Sequence, residues 1–317
     1  MSPDPPGSPD RSVIQRIACT TLQSRSVVVD SLNGYLFRTY SLRTAKGFFY
    51  LLRLKPPSTV HLLRHEYGWL EAEAGALQAL SGKTEVHLPR LIHYQHADSH
   101  LGQAYLISGP FSGSFLSAVE PSLSSKALAS IDRSLGQYVR WLSSVTGTFF
   151  GSVSGGADIP RSGSWAHTFA CLLESVMRDG EDAMISLPYD VIRGLVHKHH
   201  AALNQITTPR LLLLELASDN NVVVDTSSNR VTGLFDFSTC LWGDPYMSDC
   251  FCKPTASFVE GFGRLPNKTA DERVRQYLYI LYHAVLSIVR KWYRPRDEGD
   301  EMDARRTLTV AIRQLSS

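Results

Sequence analysis

The sequence predicts an α+β protein of two lobes, a small β-rich lobe followed by a larger helical one. Three observations predict it. Between Ser26 and Pro56, β-branched and aromatic residues come in three runs, "SVVVD", "GYLFRTYSL" and "GFFYLLRLK", punctuated by the turn sequences "SLNG" and "RTAKG". Beyond Leu116 the apolar residues switch to a helical period, over 126–145, 164–179, 189–203 and 271–293. That helical half is interrupted once by a β-rich stretch, 211–245. The expected organisation is a tail over 1–12, a β-rich lobe over 13–109 and a helical lobe over 110–317 that carries the hairpin 211–245.

The elements follow in order. The opening "MSPDPPGSPDRS" is rich in Pro, Ser and Asp and has no apolar core, so it predicts a disordered tail and neither a leader nor an anchor. The three runs after Ser26 predict an antiparallel meander, ended by Pro56-Pro57. Residues 62–80 predict a helix with Leu63, Tyr67, Leu70, Ala74 and Leu77 on one stripe. "HLPRLIHYQHA" and "AYLISGPFSG" predict two more strands, after which Gly109-Pro110 and Gly113 punctuate the chain. Over 271–293, Val274, Tyr277, Leu278, Leu281, Val285 and Ile288 form an apolar stripe, which reads as a core helix and not as a nucleic-acid face. "VHKHH" lacks the i, i+4 pair a helix needs to share a zinc ion and reads as a solvated face.

Composition narrows the function. With 32 basic and 30 acidic residues the formal net charge is +2, which argues against a general nucleic-acid binder. No apolar run approaches the ~20 residues of a membrane span. Five scattered cysteines argue against a disulfide framework and for a cytoplasmic protein, with Cys250 and Cys252 as buried thiols.

The stretch "LLLLELASDNNVVVDTSSNRVTGLFDFSTCLWGDP" places Glu215, Asn220 and Asp236 at the ends of apolar strands. Polar groups there are costly to bury unless something binds them. Asn220 and Asp236 are hard oxygen donors of the kind that share Mg²⁺ with phosphate oxygens, and Glu215 is a carboxylate able to take a hydroxyl proton.

A carboxylate, four residues, an Asn, then a hairpin ending in Asp and followed by "GDP" (Gly243 to Pro245) resembles the catalytic core of the aminoglycoside phosphotransferase and choline kinase family. Those proteins are relatives of protein kinases, and the resemblance is nearest to fungal members. It extends over roughly Val27 to Trp292. "FYLLRLKP" resembles the strand that carries the family's phosphate-binding Lys. Arg53 takes that position by register, and Lys55, two residues on, points to the same strand face. "LEAEAGAL" resembles the helix whose Glu pairs with that base, with Glu73 the best match and Glu71 the runner-up. "SLNGYLFRTYSL", with Gly34, resembles the turn over the phosphates, and "LISGPFSG" the hinge that meets adenine. Asp249 resembles an acidic residue that braces the catalytic loop.

The resemblance implies a protein-kinase-like fold, ATP and Mg²⁺ as cofactors, and a small-molecule hydroxyl as phosphate acceptor, in metabolite tailoring or resistance. In it Asn220 and Asp236 hold the metal, Arg53 or Lys55 grips the nucleotide phosphates, Glu73 orients that base, and Glu215 is catalytic. Two departures stand out: Leu213 replaces the family's His, and Glu215 replaces its catalytic Asp. A register with Asn221 in place of Asn220 puts Leu216 at the base position, and Asp219 is a second local carboxylate. These departures keep a second reading open, a pseudokinase that serves as a binding or scaffolding module.

Overall fold

The computed structural model describes residues 9–82, 88–96, 101–153, 159–216, 221–294 and 300–317. The described residues fall into two compact units. One is drawn from Met1–Val60, Leu70–Ile131 and Ser218–Ser238, the other from His61–Trp69, Asp132–Ala217 and Thr239–Ser317.

The first unit opens with α1 (Arg11–Thr21), so the expected tail ends earlier than residue 12. Asp10 caps this helix by accepting from the Ser12 N–H at 2.9 Å. Ile14 and Ala18 bury its inner face in a cluster with Val27, Tyr40 and Leu52. The meander follows as β1 (Val27–Leu32), β2 (Arg38–Thr44) and β3 (Phe49–Leu54). After α2 (Trp69–Leu80), β4 (Arg90–Gln95) and β5 (Tyr105–Phe111) complete a five-stranded antiparallel sheet of order β1-β2-β3-β5-β4. The helix is shorter than the expected 62–80. Gly68 at φ +80° breaks the run, and Tyr67, expected on the buried stripe, is 66% exposed.

The first unit continues past the expected boundary at residue 109. Gly109-Pro110 lies inside β5, and the chain runs on through β6 (Ser114–Phe115), α3 (Leu116–Val119) and the start of α4 (Ser125–Leu142). β6 pairs with β9 (Val222–Asp225), which pairs with β10 (Arg230–Leu234). The hairpin expected in the helical lobe therefore belongs to this unit. Apolar packing explains why: Val223 and Phe235 join Phe49, Leu51 and Phe111 in one cluster. The Phe235 ring lies 5.7 Å from Tyr35 and 5.9 Å from Phe111.

The second unit holds a three-stranded sheet, β7 (Gly151–Ser152), β11 (Cys240–Gly243) and β8 (Arg210–Leu213), in that order. Around it stand the end of α4, α5 (Trp165–Asp182), α6 (Tyr189–Lys198), α7 (His200–Asn204), α8 (Ala256–Phe262), α9 (Ala270–Tyr293) and α10 (Glu301–Ser316). α9 begins with a reciprocal cap, Thr269 with Glu272, and ends with Arg290 and Lys291, a charge order that suits the helix dipole. Leu278, Leu281, Val285 and Ile288 of its expected stripe are buried, as are Trp165, Phe169 and Leu172 of α5. α10 packs Ala304, Leu308, Ala311 and Leu315 into the same core. His199 is not solvated as expected: its Nε2 lies 2.8 Å from the carbonyl of Leu315. Among the described residues no helix is long and apolar enough to cross a membrane, and all five cysteines are free.

Candidate functional site

In the first unit the chemistry gathers around Arg53. It sits near the end of β3, opposite Thr39 and Leu106 on the flanking strands. Its side chain is 1% exposed, with the guanidinium over the Phe37 ring at 4.9 Å. Nη1 donates to two carboxylates, Glu73 Oε2 of α2 and Asp236 Oδ1 at 2.7 Å. Three segments far apart in sequence thus meet on one cation. Of the two α2 carboxylates, Glu73 is the one that meets Arg53. Lys55 lies one residue beyond β3, half exposed, and pairs instead with Glu71 at 3.4 Å.

The electrostatics of this cluster are unequal. One cation faces two anions, so the three side chains carry a net charge of −1 when ionised. Burial pushes the Glu73 carboxyl up to about 7, the Asp236 charge adds to the rise and Arg53 opposes it. The phenol of Tyr35 is also pushed up, by burial and then by Asp236. Asp236 sits just after β10 with φ +65°, a left-handed conformation that Asp tolerates better than most residues. The Ser238 hydroxyl donates to the same Oδ1, which fixes the carboxylate on its strained backbone. Asn220 and Asp219 lie outside the described residues. Asn221 is buried, and its carbonyl accepts from the Phe235 N–H at 3.1 Å, closing the base of the hairpin.

In the second unit Glu215 follows β8. Its carboxylate accepts from Arg290 Nη2 of α9. Arg290 Nε lies 3.9 Å from Glu66, whose two oxygens take a bidentate grip from Arg294 at 2.6 and 2.8 Å. Two arginines here meet two glutamates. Burial works against the Glu66 charge, but Arg294, His65 and Arg290 together hold its carboxyl below the usual range. His65 is buried beside it, its pKa lowered by burial, and both ring nitrogens are without a hydrogen-bond partner among the described residues.

The loop around Glu215 is braced from below. Asp249 Oδ1 accepts from the Leu216 N–H at 2.7 Å, and the Asp249 N–H donates to the Leu214 carbonyl at 3.0 Å. Leu213 is buried, and its side chain has nothing to donate. In "GDP", Asp244 accepts from the Tyr279 hydroxyl at 2.7 Å, and Tyr279 accepts from the Trp165 indole N–H at 2.8 Å. Asp244 thereby ties the end of β11 to α9 and α5, with Arg275 Nε 3.6 Å away. Its carboxyl is pushed up by burial. A Cβ on Gly243 would come within 2.3 Å of the Trp165 ring, so only glycine fits there.

Sequence reasoning missed Arg290, Glu66 and Ser238. A guanidinium interrupting the apolar stretch "LSIVRKWY" of α9 is the signal that could have found Arg290, because a charge so placed is seldom without a partner.

The family model described as the phosphotransferase enzyme family matches residues 30–248. No curated protein matches the chain. Among solved structures, a thermostable mutant of aminoglycoside phosphotransferase APH(4)-Ia superposes with a TM-score of 0.66 at 15% identity, covering 94% of this chain and 98% of that one. A candidate fructosamine-3-kinase of Thermobifida fusca YX-ER1 gives 0.66 at 14% identity over 95% and 98%. The streptomycin–ATP complex of APH(2")-IIa gives 0.56 at 13% over 98% and 96%. These likenesses establish the fold, and the family match spans more than half of the chain. The protein belongs to the phosphotransferase enzyme family.

Proposed function

We propose that the chain is an ATP-dependent phosphotransferase that acts on a hydroxyl of a small-molecule metabolite with the help of Mg²⁺. The observation that carries this is the Arg53 cluster: one buried guanidinium holding Glu73 and Asp236 from two other segments. Its surplus negative charge favours a cation at Asp236, whose side chain is 19% exposed while Arg53 and Glu73 are closed off. Arg53 Nε and Nη2 and Glu73 Oε1 are buried without a hydrogen-bond partner among the described residues. The Arg53 N–H groups are unspent donors and Glu73 Oε1 an unspent acceptor, so the described protein groups alone do not satisfy the cluster.

Mg²⁺ is ordinarily held by one or two carboxylates together with substrate phosphates, so one placed carboxylate suits it. In this reading Asp236 and Asn220 hold the metal, which when bound neutralises charge on the transferring phosphoryl group. Arg53 positions Asp236 beside the nucleotide phosphates, and Glu73 orients Arg53. Glu215 orients or deprotonates the acceptor, on a loop stiffened by Asp249.

A single titration tests nucleotide use. ATP with Mg²⁺ should raise thermal stability, by about 2.7 kcal/mol at a hundredfold excess over Kd. Slow acceptor-independent ATP hydrolysis, lost in Asp236→Asn, should accompany it. No stabilisation with ATP or GTP, with or without Mg²⁺, overturns the reading.

One observation favours a second reading, a pseudokinase that retains the fold as a binding module. The Glu215 carboxylate is already engaged by Arg290, and Leu213 offers the loop no polar support. Nucleotide-dependent stabilisation without any hydrolysis is the outcome that selects it.

A further inference from the structure

The second unit holds a cavity of about 840 Å³ that the proposed reaction leaves unused. The end of α4, the turn after α7, the start of β8, the segment after β11 and the start of α9 line it. Neither Glu215 nor Arg290 is in its wall, and no lining residue belongs to the unit that holds Arg53, Glu73 and Asp236. Its size is that of a small-molecule pocket.

Five cations line it: Arg140, Arg210, Arg264, Lys268 and Arg275. Only two carboxylates do, and both are spent. Glu272 is bound by Arg264 and by the backbone N–H groups of Lys268 and Thr269 at 2.9 and 3.1 Å. Asp244 is bound by Tyr279 and lies 3.6 Å from Arg275 Nε. Arg275 is nearly buried, and its Nη1 is anchored on the Ala202 carbonyl at 2.9 Å. Arg140, Arg210 and Lys268 remain with no carboxylate partner among the described residues. Arg210 makes a neutral contact, donating from Nη1 to the Ser143 carbonyl at 3.1 Å.

Three uncompensated charges in one concavity exceed the formal +2 of the whole chain, so all other residues together sum to −1 (2 − 3). A concave wall concentrates the field of such charges and draws anions. The same charges repel a cationic ligand. Two guanidinium forks and one ammonium are the donors that recognise phosphate groups. Thr207 and Thr208 add hydroxyls to the wall, whereas those of Ser143 and Ser144 already donate to the Val139 and Trp141 carbonyls.

We propose that this cavity is a second, non-catalytic binding site for a small phosphorylated molecule, held by Arg140, Arg210 and Lys268. The inference is independent of the proposed phosphotransfer.

The test is calorimetric titration of the full chain with inorganic pyrophosphate in the absence of Mg²⁺. Wild type should bind, with an affinity that falls as ionic strength rises. The double variant Arg140→Gln/Lys268→Gln should bind roughly tenfold more weakly or worse, since each tenfold is about 1.4 kcal/mol and two charged contacts are removed. Both side chains are exposed, so the double variant should keep the wild-type melting temperature. Arg210→Gln is the independent second variant and should weaken binding in the same direction. Asp236→Asn should leave it unchanged. No binding to wild type, or binding that survives the double variant and Arg210→Gln while Asp236→Asn abolishes it, overturns the proposal. Citrate binding more tightly than pyrophosphate overturns the phosphate assignment, and polyglutamate binding where pyrophosphate does not makes the cavity a peptide site.

Discussion

The two ion clusters answer the same physical problem, charge held away from water, in opposite ways. Around Arg53 one cation faces two anions, and the cation and one anion are about 1% exposed. Around Arg290 two cations face two anions, and both Arg290 and Glu215 keep about a quarter of their side chains in solvent. The first is unbalanced and closed, the second balanced and partly open. An unbalanced buried cluster costs stability unless a further ion or a proton completes it, which is the arrangement of a group waiting for a ligand. A balanced cluster needs nothing further and works as a clamp on the loop that carries Glu215.

Breaking each cluster in turn should expose this difference. Arg53→Ala strands two carboxylates and should cost about 3–5 kcal/mol, measured by urea unfolding, with loss of ATP-dependent stabilisation in whatever folds. A cost under about 1 kcal/mol would mean that the cluster is not held as described. Asp236→Asn should be milder for the fold, because Asn also tolerates the left-handed backbone. It should nonetheless lower turnover by at least the ~10–100-fold seen for groups one step removed from a metal. In the balanced cluster, Arg290→Met should cost about 1–3 kcal/mol, since it leaves Glu215 with reduced but real access to water. Paired with Glu215→Gln it discriminates roles. A base loses turnover in Glu215→Gln and keeps ATP binding, whereas a clamp loses stability equally in both variants.

Smaller effects sharpen the comparison. The Glu73 carboxyl has its folded-state pKa raised from 4.5 to about 7. Between those values the native chain holds a proton that the unfolded chain has released, so this group withdraws stability as pH rises from about 4.5 to about 7. Glu73→Gln should flatten that part of the wild-type difference in melting temperature against pH. Two curves that stay parallel across the window would show that Glu73 is already ionised. The smallest effect belongs to Lys55→Ala. Its pair with Glu71 is half exposed at 3.4 Å, so stability should change by less than about 1 kcal/mol and ATP affinity by less than in Arg53→Ala.

Much of this arrangement could be read from the chain alone, and the failures have physical causes. The meander and the apolar stripe of α9 are local patterns, and they stand where their periodicity put them, whereas α2 keeps only the part of its expected span after Gly68. The two α2 carboxylates divide between the bases, Glu73 with Arg53 and Glu71 with Lys55. The lobe boundary was misplaced because Gly109-Pro110 reads as punctuation, whereas β5 runs through it to pair with β3. α10 was overlooked although Ala304, Leu308, Ala311 and Leu315 are spaced for one helix face, since two of the four are alanines and carry a weak signal. The Arg290–Glu215 pair joins residues 75 apart. No local rule reaches that far, and it needed the packing of α9 to appear.

The pairing of β6 with β9 also constrains how the chain can be made. Ser114 and Phe115 leave the ribosome about a hundred residues before Val223 and Val224. At bacterial to eukaryotic elongation rates of roughly 5–20 residues per second, the first unit waits about 5–20 s for its second sheet. During that interval Phe49, Leu51 and Phe111 lack the Val223 and Phe235 side chains that cover them. The strand that will present Asp236 is therefore also the last piece of its own unit to arrive. A nascent chain stalled short of residue 222 should expose an apolar, chaperone-binding face that the finished protein hides.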